Sequence, residues 1–316
     1  MKLVQRPYQT EDDYWAIREF LRDVFIRNDR RQYSWPVARL DYWRWHVAAN
    51  CNGTQVEEAT FLWETEEGRI AAVLNPEDPG HAYLQVDPRY RTPELEEEML
   101  ALAEERLMTV DPPSGRPVLV VGVLEGDTLR EEILSRRGYA PRSGSQAYDR
   151  YRNLSLPIPE VPTPPGYTIR PMTLEDIPSR SWASWRAFHP DDPDADYRSH
   201  DWYASIMRAP MYRRDLDLVA ADESGAVVAF CTIWYDDVAR SGYYEPVGTM
   251  PEHQRRGLCT ALLHEGMRRL VERGGIHACI GGGGEANPIA EGVYSRASTD
   301  EDSYVTWLKY LDGNPA

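Results

Sequence analysis

The stretch "VGTMPEHQRRGLCTALLHEGMRRL", Val247 to Leu270, runs from an apolar strand through a turn into a long helix. Gln254, Arg255, Arg256 and Gly257 stand at the helix start. Helix starts favour acidic side chains, because the macrodipole is positive there. The chain as a whole carries a net charge of −16, so two arginines at this place need a reason. A bound anion supplies one. Successive N–H groups at a helix start have no intrahelical partner. A glycine lets a ligand approach the backbone closely, and two arginines add positive charge beside it. Together these make a seat for a pyrophosphate. The same residues also suit an ordinary amphipathic helix with a solvated, arginine-rich end. The turn is neither a Walker A loop, since no GK[ST] is present, nor a GxGxxG loop.

Outward from that turn, the second half alternates strands and helices. A short strand, Tyr167 to Arg170, precedes "TLEDIPSRSWASWRAF", a helix with Thr173 as its N-cap. "SHDWYASIMRA" reads as a further short helix. "DLDLVAAD" and "AVVAFCTIWYDD" form a hairpin across "ESG", and "GYYEPVGTM" is a third strand. The quoted helix spans Arg256 to Arg273 and stops at Gly274-Gly275. "IHACIG" is a strand, "PIAEGVYSRA" a helix and "SYVTWLKYL" a closing strand. Ahead of all this, five prolines between Pro157 and Pro165 exclude a helix or a central strand. Residues 156–166 therefore read as an extended linker. The first half repeats the same order weakly, with helices at "DYWAIREFLRDVFIRN" and "PVARLDYWRWHVAAN", a hairpin at "ATFLWETEEGRIAAVLNP", and then strands alternating with helices. Two copies of one α/β fold follow, over 1–155 and 167–316.

Composition narrows the functions. At 316 residues, two domains are the natural expectation. The acidic balance, with a pI near 4.9, argues against nucleic acid and against an anionic membrane surface. No apolar run approaches the ~20 residues of a spanning helix. The N-terminal residues lack the apolar core of a secretion signal. Cys51, Cys231, Cys259 and Cys279 are scattered, without a CxxC pair, which suits reduced thiols and a cytoplasmic chain. "HPDDPDAD", His189 to Asp196, suits contact with a cationic partner. With a single histidine close by, it does not suit a metal, and none is expected. Asp236-Asp237 reads as a solvated turn.

The order of elements in the second half and the [QR]xxGx[GA] pattern at Gln254 to Cys259 resemble the GNAT superfamily of acetyl-CoA-dependent N-acyltransferases. Cysteine stands where that family has Gly or Ala. The resemblance implies an α/β fold with a mixed sheet, here as two tandem GNAT-like domains. It implies that acetyl-CoA lays its pyrophosphate on Arg255, Arg256, Gly257, Leu258, Cys259 and Thr260, with Gln254 in register. The pantetheine arm would run along Val247, Gly248 and Thr249 as an added strand, and backbone N–H groups there would polarise the thioester carbonyl. Asn287 and Tyr294 match the family's N…Y pair, which gives Tyr294 the role of acid to the departing thiolate. Ser298 and Thr299 replace the usual Gly-Phe that follows. The acceptor implied is a primary amine, either a small molecule or a peptide, and the chain would be a monomer or a homodimer. A non-catalytic acyl-CoA-binding module of the same fold is the alternative.

Two further readings rest on placement. Glu245, two residues before Val247, would share its face of a regular strand and serve as base to the amine; a salt-bridged strand glutamate is the alternative. Gly281 to Gly284 would be bare backbone where the thioester end passes, or a plain flexible loop. In the first half, aligning Pro88 with Pro251 puts Arg91 at Gln254, Pro93 at Arg256 and Glu94 at Gly257. Glu96, Glu97 and Glu98 follow, and carboxylates there satisfy the dipole from within and repel a pyrophosphate. Leu134 replaces the tyrosine. The first half is expected to be a degenerate copy that serves as scaffold.

Overall fold

A computed structural model describes residues 2–191, 197, 199–282, 284, 285 and 287–312. In chain order the first elements are β1 (Val4–Pro7), α1 (Glu11–Arg27), α2 (Val37–Tyr42), α3 (Val56–Ala59), β2 (Phe61–Glu64), β3 (Ile70–Asn75), β4 (His81–Val86) and α4 (Pro93–Arg106). After them come β5 (Thr109–Val110), β6 (Pro117–Leu124), α5 (Thr128–Arg136), β7 (Ala140–Pro141) and β8 (Ala147–Asn153). The remainder supplies β9 (Tyr167–Pro171), α6 (Ile177–Phe188), α7 (Tyr203–Met207), β10 (Asp217–Asp222), β11 (Val227–Asp236), β12 (Ser241–Thr249), α8 (Leu258–Glu272), β13 (His277–Ile280), α9 (Pro288–Ala297) and β14 (Asp300–Tyr310). The elements expected from periodicity are present, most within two or three residues of their expected ends. The short elements β1, α3, β5 and β7 were not legible, β1 for want of apolar alternation, and the helix expected over 36–50 passes from α2 into a π-helical run, Trp43–Asn52.

The chain folds into two compact units, and their boundary does not follow the proline-rich segment. One unit comprises residues up to Asp149, with 284–287 and the chain from Asp302 onward; the other comprises 150–283 and 288–301. β14, expected to close the second half, instead pairs antiparallel with β6 over Tyr304–Tyr310 and completes the first unit. The corresponding place in the second unit is taken by Arg150–Asn153 of β8, antiparallel to β13. A strand is held by the ladder of N–H and C=O groups it meets, whichever part of the sequence supplies it. The segment 156–166 has no helix or strand. Its Ile158 packs on the second unit's core, and the Pro157 carbonyl accepts from Arg152.

Each unit is a mixed sheet with helices packed on it. The first orders its strands β1-β2-β3-β4-β6-β14, the second β8-β13-β12-β11-β10-β9. The first core gathers Trp63, Leu84, Met99, Leu119 and Leu134; the second gathers Cys231, Ile233, Tyr244, Leu262, Met267 and Tyr294. In both, two central strands run parallel and then part. β4 and β6 pair only at His81–Ala82 with Val120–Val121. β12 and β13 pair from Ser241–His277 to Tyr244–Ile280 and no further.

Candidate active site

β12 continues past its last contact with β13, from Glu245 to Thr249, while still pairing with β11. Met250 donates its N–H to the Val228 carbonyl. Antiparallel alternation then turns Gly248 towards Phe230 and leaves Val247 and Thr249 presenting their backbone groups on the open edge. Gly248 is required by packing as well. A Cβ there would lie 2.4 Å from the Phe230 ring and 3.1 Å from Ala187 of α6.

The strand is not regular here. Cys231 faces Val247 and Ile233 faces Tyr244, so Glu245 and Pro246 together oppose Thr232 in a β-bulge. Tyr244, not Glu245, therefore shares the face of Val247, which corrects the expectation drawn from two-residue alternation. Glu245 is half-buried, and its carbonyl accepts from the Trp234 indole. Its charge nonetheless reaches Tyr294, whose phenol it helps to push up.

The turn beyond β12 opens with a single 3-10 turn, Pro251–His253. Arg255 then takes φ +59° and Gly257 φ +83°, both left-handed, before α8 begins at Leu258. Six consecutive N–H groups, Arg255 to Thr260, donate to no acceptor among the described residues. The first helix turn has no acid and no side-chain cap. Arg255 and Arg256 are exposed, with no carboxylate beside them among the described residues. Gln254 bonds back to the Thr249 carbonyl at 3.3 Å and Arg256 to the Glu252 carbonyl at 3.2 Å, which brace the turn. The Leu258 side chain lies in the core and leaves only its N–H at the turn. Cys259 also packs inward, and burial pushes its thiol up to about 12. Its side chain lies against the core.

Tyr294 projects from α9 into the second core and is 9% exposed. Burial first, then Cys259, Glu245 and Cys231, push its phenol well above the ordinary value. The group keeps its proton through the neutral range, and its hydroxyl donates to no described residue. Ser298 and Thr299 anchor the end of that helix. Ser298 donates its N–H to the Tyr294 carbonyl, and Thr299 donates its own to the Tyr151 carbonyl at 2.8 Å while its hydroxyl accepts from Asn153 N–H at 2.9 Å.

Other expected residues fall elsewhere. Asn287 groups with the first unit, exposed, its N–H on the Gly284 carbonyl. The glycine run has reasons within the fold: the Gly282 carbonyl accepts from Arg150, and a Cβ on Gly284 would lie 2.4 Å from the Gln146 carbonyl oxygen. Gly283 and residues 192–196 of the acidic loop lie outside the described residues. Asp236 is buried and accepts from Val238 N–H, so only Asp237 of that pair is solvated. Among the described residues no group of three or more His, Cys, Asp or Glu could hold a metal ion, and no helix is long and apolar enough to cross a membrane.

Sequence reading missed a buried network behind β11. Asp217 accepts from Tyr203, Tyr212 and Thr232, with the fully buried Arg180 at 3.6 Å and its guanidinium 3.8 Å above the Phe230 ring. It ties α6 and α7 to the sheet. Its members are up to 52 residues apart, so no local pattern exposes it.

In the first unit the equivalent gap between β4 and β6 is a cavity of about 110 Å³, walled by Trp35, Arg39, Tyr83, Gln85 and Gly122. Its helix start is closed. Thr92 caps α4 by accepting from Leu95 N–H at 3.2 Å. The fully buried Glu96 carboxylate lies between Arg91 and Arg130, and Arg91 also holds Asp127 at 2.7 Å. The cap of α4 corresponds to Gly257, so the turn before it is two residues shorter than in the second unit. That shifts the expected alignment, and Glu96 rather than Glu94 does the closing. Glu97 pairs with Arg136 and Arg137, Glu98 accepts from Trp63, and Glu94 is exposed.

Residues 175–298 match the family described as "Acetyltransferase (GNAT) family". No curated protein matches the sequence. Among solved structures, a GCN5-related N-acetyltransferase from Sphaerobacter thermophilus is similar over 99% of this chain and 98% of its own, with a TM-score of 0.67 at 20% identity. A tandem GNAT protein from the clavulanic acid biosynthesis pathway is similar over 99% and 100%, with a TM-score of 0.66 at 15% identity. A GNAT-family acetyltransferase from Colwellia psychrerythraea follows over 98% and 100%, at 0.58 and 10%. The strand parting, the uncapped helix start and the buried tyrosine thus lie within or beside the segment 175–298 that matches the acetyltransferase (GNAT) family, and the whole chain is similar in fold to a tandem GNAT protein.

Proposed function

We propose that the second unit transfers an acetyl group from acetyl-CoA to a primary amine. The observation that carries this reading is the run of six N–H groups without an acceptor among the described residues, at an acid-free helix start next to a strand with an open edge. The first suits a pyrophosphate; the second suits the amides of pantetheine. Arg255 and Arg256 add charge to the seat.

The chemistry needs an acid and a base. A neutral amine nitrogen attacks the thioester carbonyl carbon, and backbone N–H groups of the open edge stabilise the oxygen as it gains charge. The C–S bond then breaks. Tyr294, held protonated by its burial, donates its proton to the departing thiolate and regains one from solvent. Glu245 takes the proton that the nitrogen sheds through water, since the bulge takes its side chain off the face of Val247.

Calorimetry with acetyl-CoA on the full chain should find one site, and free thiol should appear when a primary amine from a broad panel is added. Two equivalent sites, or none, would overturn the reading of a single competent unit. Tight binding without thiol release from any amine would leave a binding module instead.

A further inference from the structure

We infer that Arg150 is a positioning residue for Tyr294, and this rests on the reading of Tyr294 as the acid. Arg150 belongs to β8, supplied by the first half of the chain, and its side chain is 1% exposed. One guanidinium reaches three points around α9. Nη1 donates to the Gly282 carbonyl at 3.4 Å, ahead of the helix. Nη2 donates to Glu291 at 2.6 Å, in its first turn. Nε pairs with Glu301 at 3.2 Å, beyond its end. The helix is thereby bracketed from before, within and after by one rigid fork.

The bracket matters because of what Tyr294 lacks. Its hydroxyl has no hydrogen-bond partner among the described residues, so its position follows from the helix backbone and from ring packing alone. Glu291 is three residues earlier and on a neighbouring part of the helix surface. Pinning Glu291 fixes the rotation and height of the turn that carries the tyrosine. A proton donor must stand within hydrogen-bond reach of its target, and small misplacements of such a group are costly in rate. The carboxylates of Glu291 and Glu301 are 30% and 47% exposed. Removing the bracket therefore leaves them hydrated rather than stranded.

The test uses the full chain with acetyl-CoA and any amine that it turns over. Glu291→Ala should lower kcat about tenfold while acetyl-CoA affinity stays unchanged, and Glu291→Gln, which keeps a hydrogen bond to Nη2, should fall between. Combined with Tyr294→Phe, Glu291→Ala should add nothing further, because both act on one proton transfer. Arg150→Met should behave as Glu291→Ala; Glu291 serves alone if that variant does not fold. Unchanged kcat in Glu291→Ala, or losses that multiply with that of Tyr294→Phe, would overturn the inference. Amide hydrogen exchange gives an acceptor-free arm. Glu291→Ala should speed exchange in 291–297 and leave 260–272 as in the parent, and equal protection of 291–297 would also overturn it. If Tyr294→Phe alone leaves kcat unchanged, the assignment of the acid fails, and faster exchange in 291–297 still decides for the bracket.

Discussion

The two helix starts of this chain, α4 and α8, follow corresponding strands and differ in how their orphan N–H groups are served. α4 has a threonine cap, proline in its first turn and the Glu96 carboxylate buried between Arg91 and Arg130. α8 has a glycine cap, no acid in its first turn and six N–H groups with no partner among the described residues. Every helix start must answer the same electrostatic demand. One start answers it with its own side chains and is finished. The other leaves the demand open, and that is where we propose an anion binds. The difference lies in a few residues, and the surrounding sheet is much the same in both.

The strongest way to break the contrast is to put a carboxylate at the start of α8. Gly257→Glu forces a side chain onto a left-handed backbone and places a carboxylate at the anion seat. Acetyl-CoA affinity should fall by at least ~10³-fold, about 4 kcal/mol. Calorimetry reads this, and parent-like affinity would move the pyrophosphate elsewhere.

The converse change is made at Glu96. Burial alone would push its carboxyl up, but the guanidiniums of Arg130 and Arg91 outweigh that and hold it below the ordinary range. A carboxyl depressed by folding contributes stability above its unfolded pKa, roughly 4.3, and loses it as pH falls through the folded value. Glu96→Gln should cost about 3 kcal/mol at pH 7, the low end for breaking a buried pair, because Asp127 still holds Arg91. The loss relative to the parent should shrink below about pH 4. Denaturant unfolding across pH checks both, and a pH-independent difference would show that the charge is not what closes this start.

Tyr294→Phe keeps the ring and removes the hydroxyl. Turnover should fall by ~10²-fold, with the fold and acetyl-CoA affinity retained. Steady-state kinetics decides it: an unchanged kcat with chemistry rate-limiting removes the tyrosine from the mechanism.

The smallest effect is expected at Thr92. Its hydroxyl accepts from Leu95 N–H, and Thr92→Ala should cost about 1 kcal/mol, as caps generally do. Acetyl-CoA binding by the second unit should not change. Thermal unfolding and calorimetry on the same sample would show it.

Much of this was legible from residue order. Periodicity placed most strands and helices, because burial of one face imposes a period on the sequence. The Gln254–Gly257 turn was legible because its requirements are local: a glycine for the left-handed cap, and no acids in the next turn. Strand parity failed at Glu245, because a bulge adds a residue that periodicity does not register. The equivalence of Gly257 and Glu94 failed because the turn before α4 is two residues shorter than the one before α8.

By itself, then, the sequence determined a repeated α/β pattern, an acid-free helix start in one copy and acids in the other, since each depends on neighbours within one or two turns of chain. Tertiary structure alone decided which strand closes which unit, that Glu96 among four glutamates is the buried one, and that Arg150 reaches α9 from 141 residues away. The reason is physical. Strand pairing and buried ion pairs are set by groups that meet in space, and their energies depend on the low-dielectric surroundings that only the folded chain creates.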